Sequence, residues 1–361
     1  MSIESTPSDA DEVAHVIANS ASRLFQKIGL IGKTPARTQE TQLPWNVAAW
    51  SEVIDAGFEF AMLREELGGV GALHALTILQ LAGAQAVPLP LAETIGANWL
   101  LSAAGLEPDS GPLTFADGDL DLASDGPEWH IRGSLLQVPW ARICDIVCVG
   151  RKSGVPHLLR IDRDVAMISE GSNVAGEPRH RCVFDAKLPA DRVARLPDNF
   201  HPSTTRRLGA ALRAAQMAGA ISTVLDMSLS YTQSRRQFGR PLAAFQAIQQ
   251  LIAVMASQAA AAGVACGLAA GAIANGLEPL AIAAAKVRIG EAASAVAAIA
   301  HQVHGAMGFS SEYPLHLLTR RLWAWRDEFG GEAEWSIELG RALIGNGKSD
   351  LWTSLTAIAK D

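Results

Sequence analysis

The stretch SRRQFGRPLAAFQAIQQ, Ser234 to Gln250, sets paired arginines beside a phenylalanine, a glycine and a proline. Arg235 and Arg236 could hold an anion, because a guanidinium presents a fork of donors that matches phosphate or carboxylate oxygens. Gly239 would let the backbone come close to such a ligand. A plainer reading is also open: the arginines are solvated cations at a helix C-terminus, where the macrodipole makes them worth ~0.3–1 kcal/mol. On either reading Gly239 supplies a left-handed helix stop, and Pro241 begins the next helix.

The elements that must carry this corner follow from periodicity. Residues 10–106 are rich in helical spacing, with Val47, Trp50, Val53 and Ile54 on one face of PWNVAAWSEVIDAGFEFAML. The glycines of LREELGGVGALH mark a loop and not a phosphate cradle, since no Lys-Ser/Thr follows them. From about 107 to 200 the texture turns to short β-rich runs such as EWHIRGSLLQV, ARICDIVCVG, PHLLRIDRD and RCVFDAKLPADRV. Beyond that the chain is helical again and rich in alanine, with Phe245, Ile248, Leu251, Ile252 and Met255 forming an apolar stripe. Four segments, about 205–235, 241–275, 278–305 and 315–345, predict a four-helix bundle. The fold class expected is therefore mainly α with a small central β domain: a helical N-terminal domain (1–106), a β domain (107–200) and a C-terminal bundle (201–361).

Composition narrows the function. The chain has 361 residues, 49% of them hydrophobic and 19% charged, with a net charge of −7. That is enough for a substantial core, and so apolar a chain points to surface hidden against partner chains. No clustered Lys/Arg field exists to bind nucleic acid or an anionic membrane. The start, MSIESTPSDADEVAHV, lacks the basic and apolar pattern of a secretory signal, and the alanine-rich run from Ile252 to Ala270 is too weakly hydrophobic for a membrane span, so a cytoplasmic protein is expected. Cys144, Cys148, Cys182 and Cys266 show no metal-ligand spacing and read as buried free thiols, so no metal is expected.

Four segments resemble the acyl-CoA dehydrogenase family, in the family's order and across most of the chain. REELGGVG (Arg64 to Gly71) is similar to its Pro-Glu-Glu-Tyr-Gly-Gly-x-Gly loop, and VFDAKLPADRV (Val183 to Val193) to the strand leaving its β domain. RRQFGRPLAAFQ resembles Arg-Lys-x-Phe-Gly-x-Pro-Leu-x-x-Phe-Gln, and QVHGAMGFSSEYPLHLLTRR (Gln302 to Arg321) resembles Gln-x-x-Gly-Gly-x-Gly-Phe-x-x-Glu-Tyr-Pro. The resemblance implies FAD as cofactor. It assigns Arg235 and Phe238 to the pyrophosphate and adenine side of FAD, with Gln246, Gln302 and Gly305 lining the same end. It implies oxidation of an acyl-CoA to the trans-2-enoyl-CoA, an electron-transfer acceptor, and a corner that serves the FAD of a neighbouring chain.

The sequence departs from the family where the base should be. The family's glutamate commonly lies in a Tyr-Glu-Gly-Thr motif; ungapped alignment puts Phe329 of WRDEFGGEAEW there, and one inserted residue puts Gly330 there. Its alternative site on the first bundle helix falls near Gly209, and no carboxylate lies between Phe200 and Leu225. Glu328, Glu332 and Glu334 are nearby acids, expected to be solvated. The β-domain motifs that bond the flavin ring are also missing; Ser124-Asp125 and Trp140 are expected to be a turn and a buried aromatic. No catalytic residue is therefore assigned.

The sequence is thus similar to the shorter subunits of heteromeric acyl-CoA dehydrogenases, including those acting on CoA thioesters of steroid side chains. A base-lacking subunit completing the FAD site of a longer, glutamate-bearing partner is the function expected. The alternatives are a self-sufficient homo-oligomer with an unrecognised base such as Glu328 or Glu332, and a structural helical protein without cofactor.

Overall fold

The computed structural model describes residues 9–33, 45–197 and 200–345. The first residues of the polar N-terminal stretch and the last part of the third expected domain lie outside them. Helices α1 (Asp9–Ile28), α2 (Val47–Asp55), α3 (Gly71–Ala84) and α4 (Leu91–Ala103) come first. Helix α2 starts where Asn46 Oδ1 accepts the Ala49 amide at 3.0 Å, satisfying a donor the helix itself cannot.

A seven-stranded sheet follows: β1 (Leu113–Asp125), β2 (Glu128–Pro139), β3 (Asp145–Lys152), β4 (Val155–Ile161), β5 (Met167–Ser169), β6 (Arg179–Pro189) and β7 (Val193–Arg195). Its order is β5-β6-β2-β1-β3-β4-β7, with β1 and β3 parallel and the other pairs antiparallel. Alternation divides the side chains between two cores. Phe115, Val147 and Leu158 join the helical core, while Leu120, Ile131, Ile146 and Phe184 form a separate core on the other face. All four cysteines are buried and free.

The bundle comprises α5 (Thr204–Ser234), α6 (Gln246–Ala274), α7 (Pro279–His304), α8 (Leu315–Asp327) and α9 (Glu332–Gly345). Helix α7 is started by Glu278, whose carboxylate accepts the amides of Leu280 and Ala281, with Pro279 at the first position. The mainly α order of helices, sheet and helices is the one expected, but two details differ. The segment expected as a fourth helix is two, because Phe329 (φ 56°) and Gly330 (φ 98°) are left-handed and break it. Pro241 does not begin α6: Arg236–Gln237 and Arg240–Pro241 pair as a tiny hairpin, and a 3₁₀ turn, Leu242–Ala244, precedes the helix at Gln246. Phe238 (φ 50°) and Gly239 (φ 77°) are both left-handed, which is what a two-residue hairpin turn requires.

Helices α5 and α6 are both long and apolar enough to cross a membrane by length and composition alone, a test that the core helix of a soluble protein also passes. Helix α5 is the core of the bundle, with 83% of its apolar window buried. Helix α6, at mean hydropathy 1.8, has only 22% buried. No charged residue lies between Arg240 and Glu278, so α6 shows an apolar face that the rest of the chain leaves open.

Helices α3 and α5 touch backbone to backbone. A Cβ at Gly219 would lie 1.8 Å from the Gln80 carbonyl oxygen, and one at Gly83 would lie 2.1 Å from that of Gln216. Gly219→Ala or Gly83→Ala must separate the helices, and we expect each to lose ~1–3 kcal/mol in urea unfolding. Gly267→Ala in α6, where a Cβ meets nothing within 4 Å, should instead stabilise the isolated chain by ~0.5–1 kcal/mol. Equal effects at the two kinds of position would contradict this packing.

Candidate functional site

The corner residues meet at one end of the bundle. Helix α7 runs back alongside α5, so the turn after His304 lies beside the last turns of α5. Tyr231 stacks on His304 at 4.4 Å and its hydroxyl donates to the His304 carbonyl at 3.3 Å. Arg235, Gln246, Gln302 and Gly305 are exposed there, and Phe238 is 91% exposed at the hairpin tip. The Arg235 carbonyl accepts the Leu242 amide at 2.9 Å, while its guanidinium has no ion-pair partner among the described residues. Arg236 donates to the Gly239 carbonyl at 3.2 Å, and Arg240 covers the Phe245 ring at 4.0 Å. An unpaired guanidinium beside an exposed ring suits a group that is anionic at one point and planar at another.

A cavity of about 690 Å³ lies at the other end of α5, between the sheet and the α8–α9 corner. Phe115 and Asp117 of β1, Gln137 of β2, Arg206 of α5, Trp323 of α8 and Phe329 are among its lining residues. The register of β2 against β6 slips between Leu135 and Val138, and this bulge places Gln137 (φ 55°) at the rim. Left-handed residues other than glycine are strained, and such strain gathers where surrounding structure imposes a particular shape.

A buried charge network reaches the cavity wall, where Glu328 and Asn173 are lining residues. Glu328 accepts hydrogen bonds from Arg179 Nε (2.8 Å) and Nη2 (2.9 Å), Arg213 Nε (2.7 Å) and Asn173 Nδ2 (3.0 Å). Arg213 also donates to Glu93 of α4 at 2.5 Å and to Gln216 at 2.6 Å. Glu177 accepts from Arg179 (3.1 Å), Arg321 (3.1 Å) and the Trp325 indole (2.9 Å). Three arginines thus balance three glutamates. Burial alone would raise the Glu328 carboxyl, but Arg179 and Arg213 more than reverse this and hold it at about 2. Lys286 of α7 donates to the carbonyls of Trp325 and Arg326, both at 2.8 Å, and burial pulls its ammonium down to about 7.

The expectation of solvated acids is therefore wrong for Glu328: its site is paid for by arginines drawn from distant parts of the chain. Glu334 is 65% exposed and pairs with Arg206 at 2.8 Å. Glu332 reaches Arg326 at 3.4 Å. Two of the three positions that alignment proposed for a base, Gly209 and Phe329, touch each other: a Cβ on Gly209 would lie 2.3 Å from the Phe329 ring. Both positions thus face one place, and neither bears a carboxylate.

Trp140 is buried, as expected. Ser124 accepts from Lys152 at 2.9 Å on the exposed sheet and does not line the cavity. Asp117 was missed by sequence reasoning. Its carboxylate accepts the Thr205 hydroxyl at 3.2 Å; burial raises its pKa, opposed by that bond and by Arg206. Nothing in FADGD distinguishes it from a solvated strand residue. Arg213 did leave a signal, being the lone charge on α5 between Arg207 and Asp226.

Residues 204–335 match the family model described as "Acyl-CoA dehydrogenase, C-terminal domain". The acyl-CoA dehydrogenase IpdE2 of Mycobacterium tuberculosis is 30% identical over 300 residues, covering 81% of this chain and 83% of the relative. The chain belongs to the acyl-CoA dehydrogenase family. A 3-sulfinopropanoyl-CoA desulfinase of Paraburkholderia xenovorans is 27% identical over 239 residues, 59% of each chain. Among solved structures, the ChsE4–ChsE5 complex of Mycobacterium tuberculosis matches with a TM-score of 0.80 at 21% identity, covering 94% of this chain and 98% of that one. The Tcur3481–Tcur3483 steroid ACAD matches with a TM-score of 0.82 at 22% identity, covering 94% and 100%. These likenesses establish the fold, and the family makes the chain an oxidoreductase of a group that uses FAD.

An acyl-CoA dehydrogenase held together in this way should be sensitive to acid through Glu328. Its carboxyl is depressed on folding, so its stabilising contribution is complete above the unfolded value near 4.5 and is lost as pH falls toward about 2. Glu328→Gln leaves three buried arginines to two carboxylates, Glu93 and Glu177, and should cost ~3–5 kcal/mol at neutral pH. Urea unfolding between pH 2 and 7 should show a shallower acid loss in the variant than in the wild type. Parallel pH profiles would contradict the burial of this ion.

Proposed function

We propose that this chain is a subunit of a heteromeric acyl-CoA dehydrogenase that completes the FAD site of a partner subunit and supplies no α-proton base of its own. One observation carries the reading. The exposed corner with Arg235 and the cavity with Arg206 lie at opposite ends of α5, some 29 residues and therefore ~44 Å apart. One dinucleotide does not span that distance, so the corner suits a cofactor seated in another chain. Arg235 would fork the pyrophosphate, Phe238 would offer a ring face, and Gln246, Gln302 and Gly305 would line the same end. The chemistry FAD supplies when bound is acceptance of the β-hydrogen of the thioester as hydride.

The missing base supports the same reading. A general base works best with a pKa near the operating pH. Glu328, held at about 2 by two arginines, is a poor proton acceptor, and Phe329 and Gly209 have none to offer. The open apolar face of α6 gives a partner a surface to cover. The two-chain complexes among the structural relatives, one of them a steroid ACAD, support a heteromer acting on the CoA thioester of a bulky acyl group.

Asp117 favours a second reading, a self-sufficient enzyme. It is a cavity carboxylate raised by burial, and in that reading it accepts the α-proton. Co-expression with a longer homologue separates the two. We expect the chain alone to be colourless and inactive and the complex to be yellow and active. In the complex Asp117→Asn, Glu332→Gln and Glu334→Gln should leave turnover within a few-fold of wild type. Arg235→Ala should reduce FAD retention by roughly 10- to 100-fold, the scale of one charge-assisted hydrogen bond. A loss of two or more orders of magnitude in Asp117→Asn, with FAD retained, would establish the second reading.

A further inference from the structure

Among the bundle's arginines that are partly or fully buried, Arg207 stands apart. Arg206, Arg213, Arg288, Arg321 and Arg326 each meet a carboxylate within 3.4 Å. Arg207, on the first turn of α5, has no such partner among the described residues, and its Nε is shut off from water without a hydrogen bond. Burial pulls its pKa down, and the charges of Glu338 and Glu278 only partly offset that. A shielded donor left unpaired is costly and calls for a reason. Arg207 lines a cleft of about 540 Å³ together with Glu278 and Leu280 at the start of α7 and Glu338 and Arg341 of α9. Arg341 is exposed there, and it too has no ion-pair partner among the described residues. The two acids of the cleft are engaged elsewhere: Glu278 accepts the Leu280 and Ala281 amides at 3.1 and 2.6 Å, and Glu338 accepts from Arg206 at 2.8 Å. Two guanidinium groups are thus free where both carboxylates are committed.

We propose that this cleft is a phosphate site, with Arg207 and Arg341 as its two forks. One fork satisfies a carboxylate, whereas two forks from different helices suit a group with three or more acceptor oxygens. The volume is that of a small-molecule pocket, so the phosphate can arrive as part of a larger molecule. The cleft also shares a wall with the large cavity, since Arg206 lines the one and its partner Glu338 the other. CoA and free phosphate are two sources of the same group. Naming CoA rests on the reading of the chain as an acyl-CoA dehydrogenase subunit; the phosphate site itself rests on the two arginines.

The test titrates CoA, pantetheine and inorganic phosphate calorimetrically, at low salt, into the full chain, or into its complex with the partner subunit if that is what purifies. The partner's contacts are common to all variants, so the difference between variant and wild type isolates this cleft. CoA should bind at least about tenfold more tightly than pantetheine, which carries no phosphate. Arg207→Gln should weaken CoA by about 10- to 100-fold, the scale of a hydrogen bond to a charged group. Arg341→Gln should weaken it by about two- to fivefold, because an exposed charge is screened. Pantetheine should be unchanged by either. Arg207→Lys, which keeps the charge without the fork, should fall between, and it guards against a folding defect in the glutamine variant. Binding of inorganic phosphate that depends on Arg207, with no such dependence for CoA, would uphold the phosphate site and assign it to the free ion. Affinities for CoA and for phosphate that are the same in wild type, Arg207→Gln and Arg341→Gln would overturn the site. FAD content and turnover report separately on the subunit reading, so either idea can fail without the other.

Discussion

The buried exchange of charge around Glu328 is the constraint on which the rest of the molecule depends. Its ligands come from the loop before β6 (Asn173), from β6 (Arg179) and from α5 (Arg213), and Arg213 reaches on to Glu93 in α4. Sheet and both groups of helices are thus tied at one carboxylate. Replacing such a cluster whole with apolar groups can be neutral, whereas removing one member strands a buried charge. The cluster therefore tolerates no piecemeal change, and it fixes where the α8–α9 corner sits against the sheet.

That corner in turn fixes the cavity. Lys286 clamps the carbonyls that end α8, Glu328 anchors the next residue, and the chain must then reverse within Phe329 and Gly330. The same atoms that make Glu328 structurally indispensable make it chemically inert, because the arginines that stabilise its charge remove its appetite for a proton. Helix α5 separates the consequences: its N-terminal turns face the cavity and its C-terminal turn carries the hairpin, so one rigid rod sets the distance between the cavity and the exposed corner.

Much of this was legible in the sequence, for identifiable reasons. Helical and strand periodicities depend on burial of one face, so the order of helices, sheet and helices could be read from alternating apolar residues. The hairpin corner was marked by Gly239 beside a crowd of arginines, although Pro241 was misread because a short paired turn comes before α6. Phe329 and Gly209 were singled out separately, as two places lacking a carboxylate, and only the fold brings them into contact. Of the Glu328 network only Arg213 left a mark, as the lone charge in its stretch of α5; the other members are scattered from Glu93 to Glu328 and each alone looks like a surface charge. Asp117 was hidden for a related reason: its perturbation comes from Thr205 and the packing around it, not from its neighbours in the chain.

The uncharged run of α6 has a consequence for how the protein is made. A helix that offers water a broad apolar face is sticky until something covers it, and neither Lys nor Glu is present between Arg240 and Glu278 to act as a gatekeeper. Copies whose α6 face is left uncovered would be drawn to one another or to chaperones and proteases. Cells would therefore do best to produce this chain in step with whatever binds it, so that stoichiometry of synthesis, as much as affinity, governs how much of it survives.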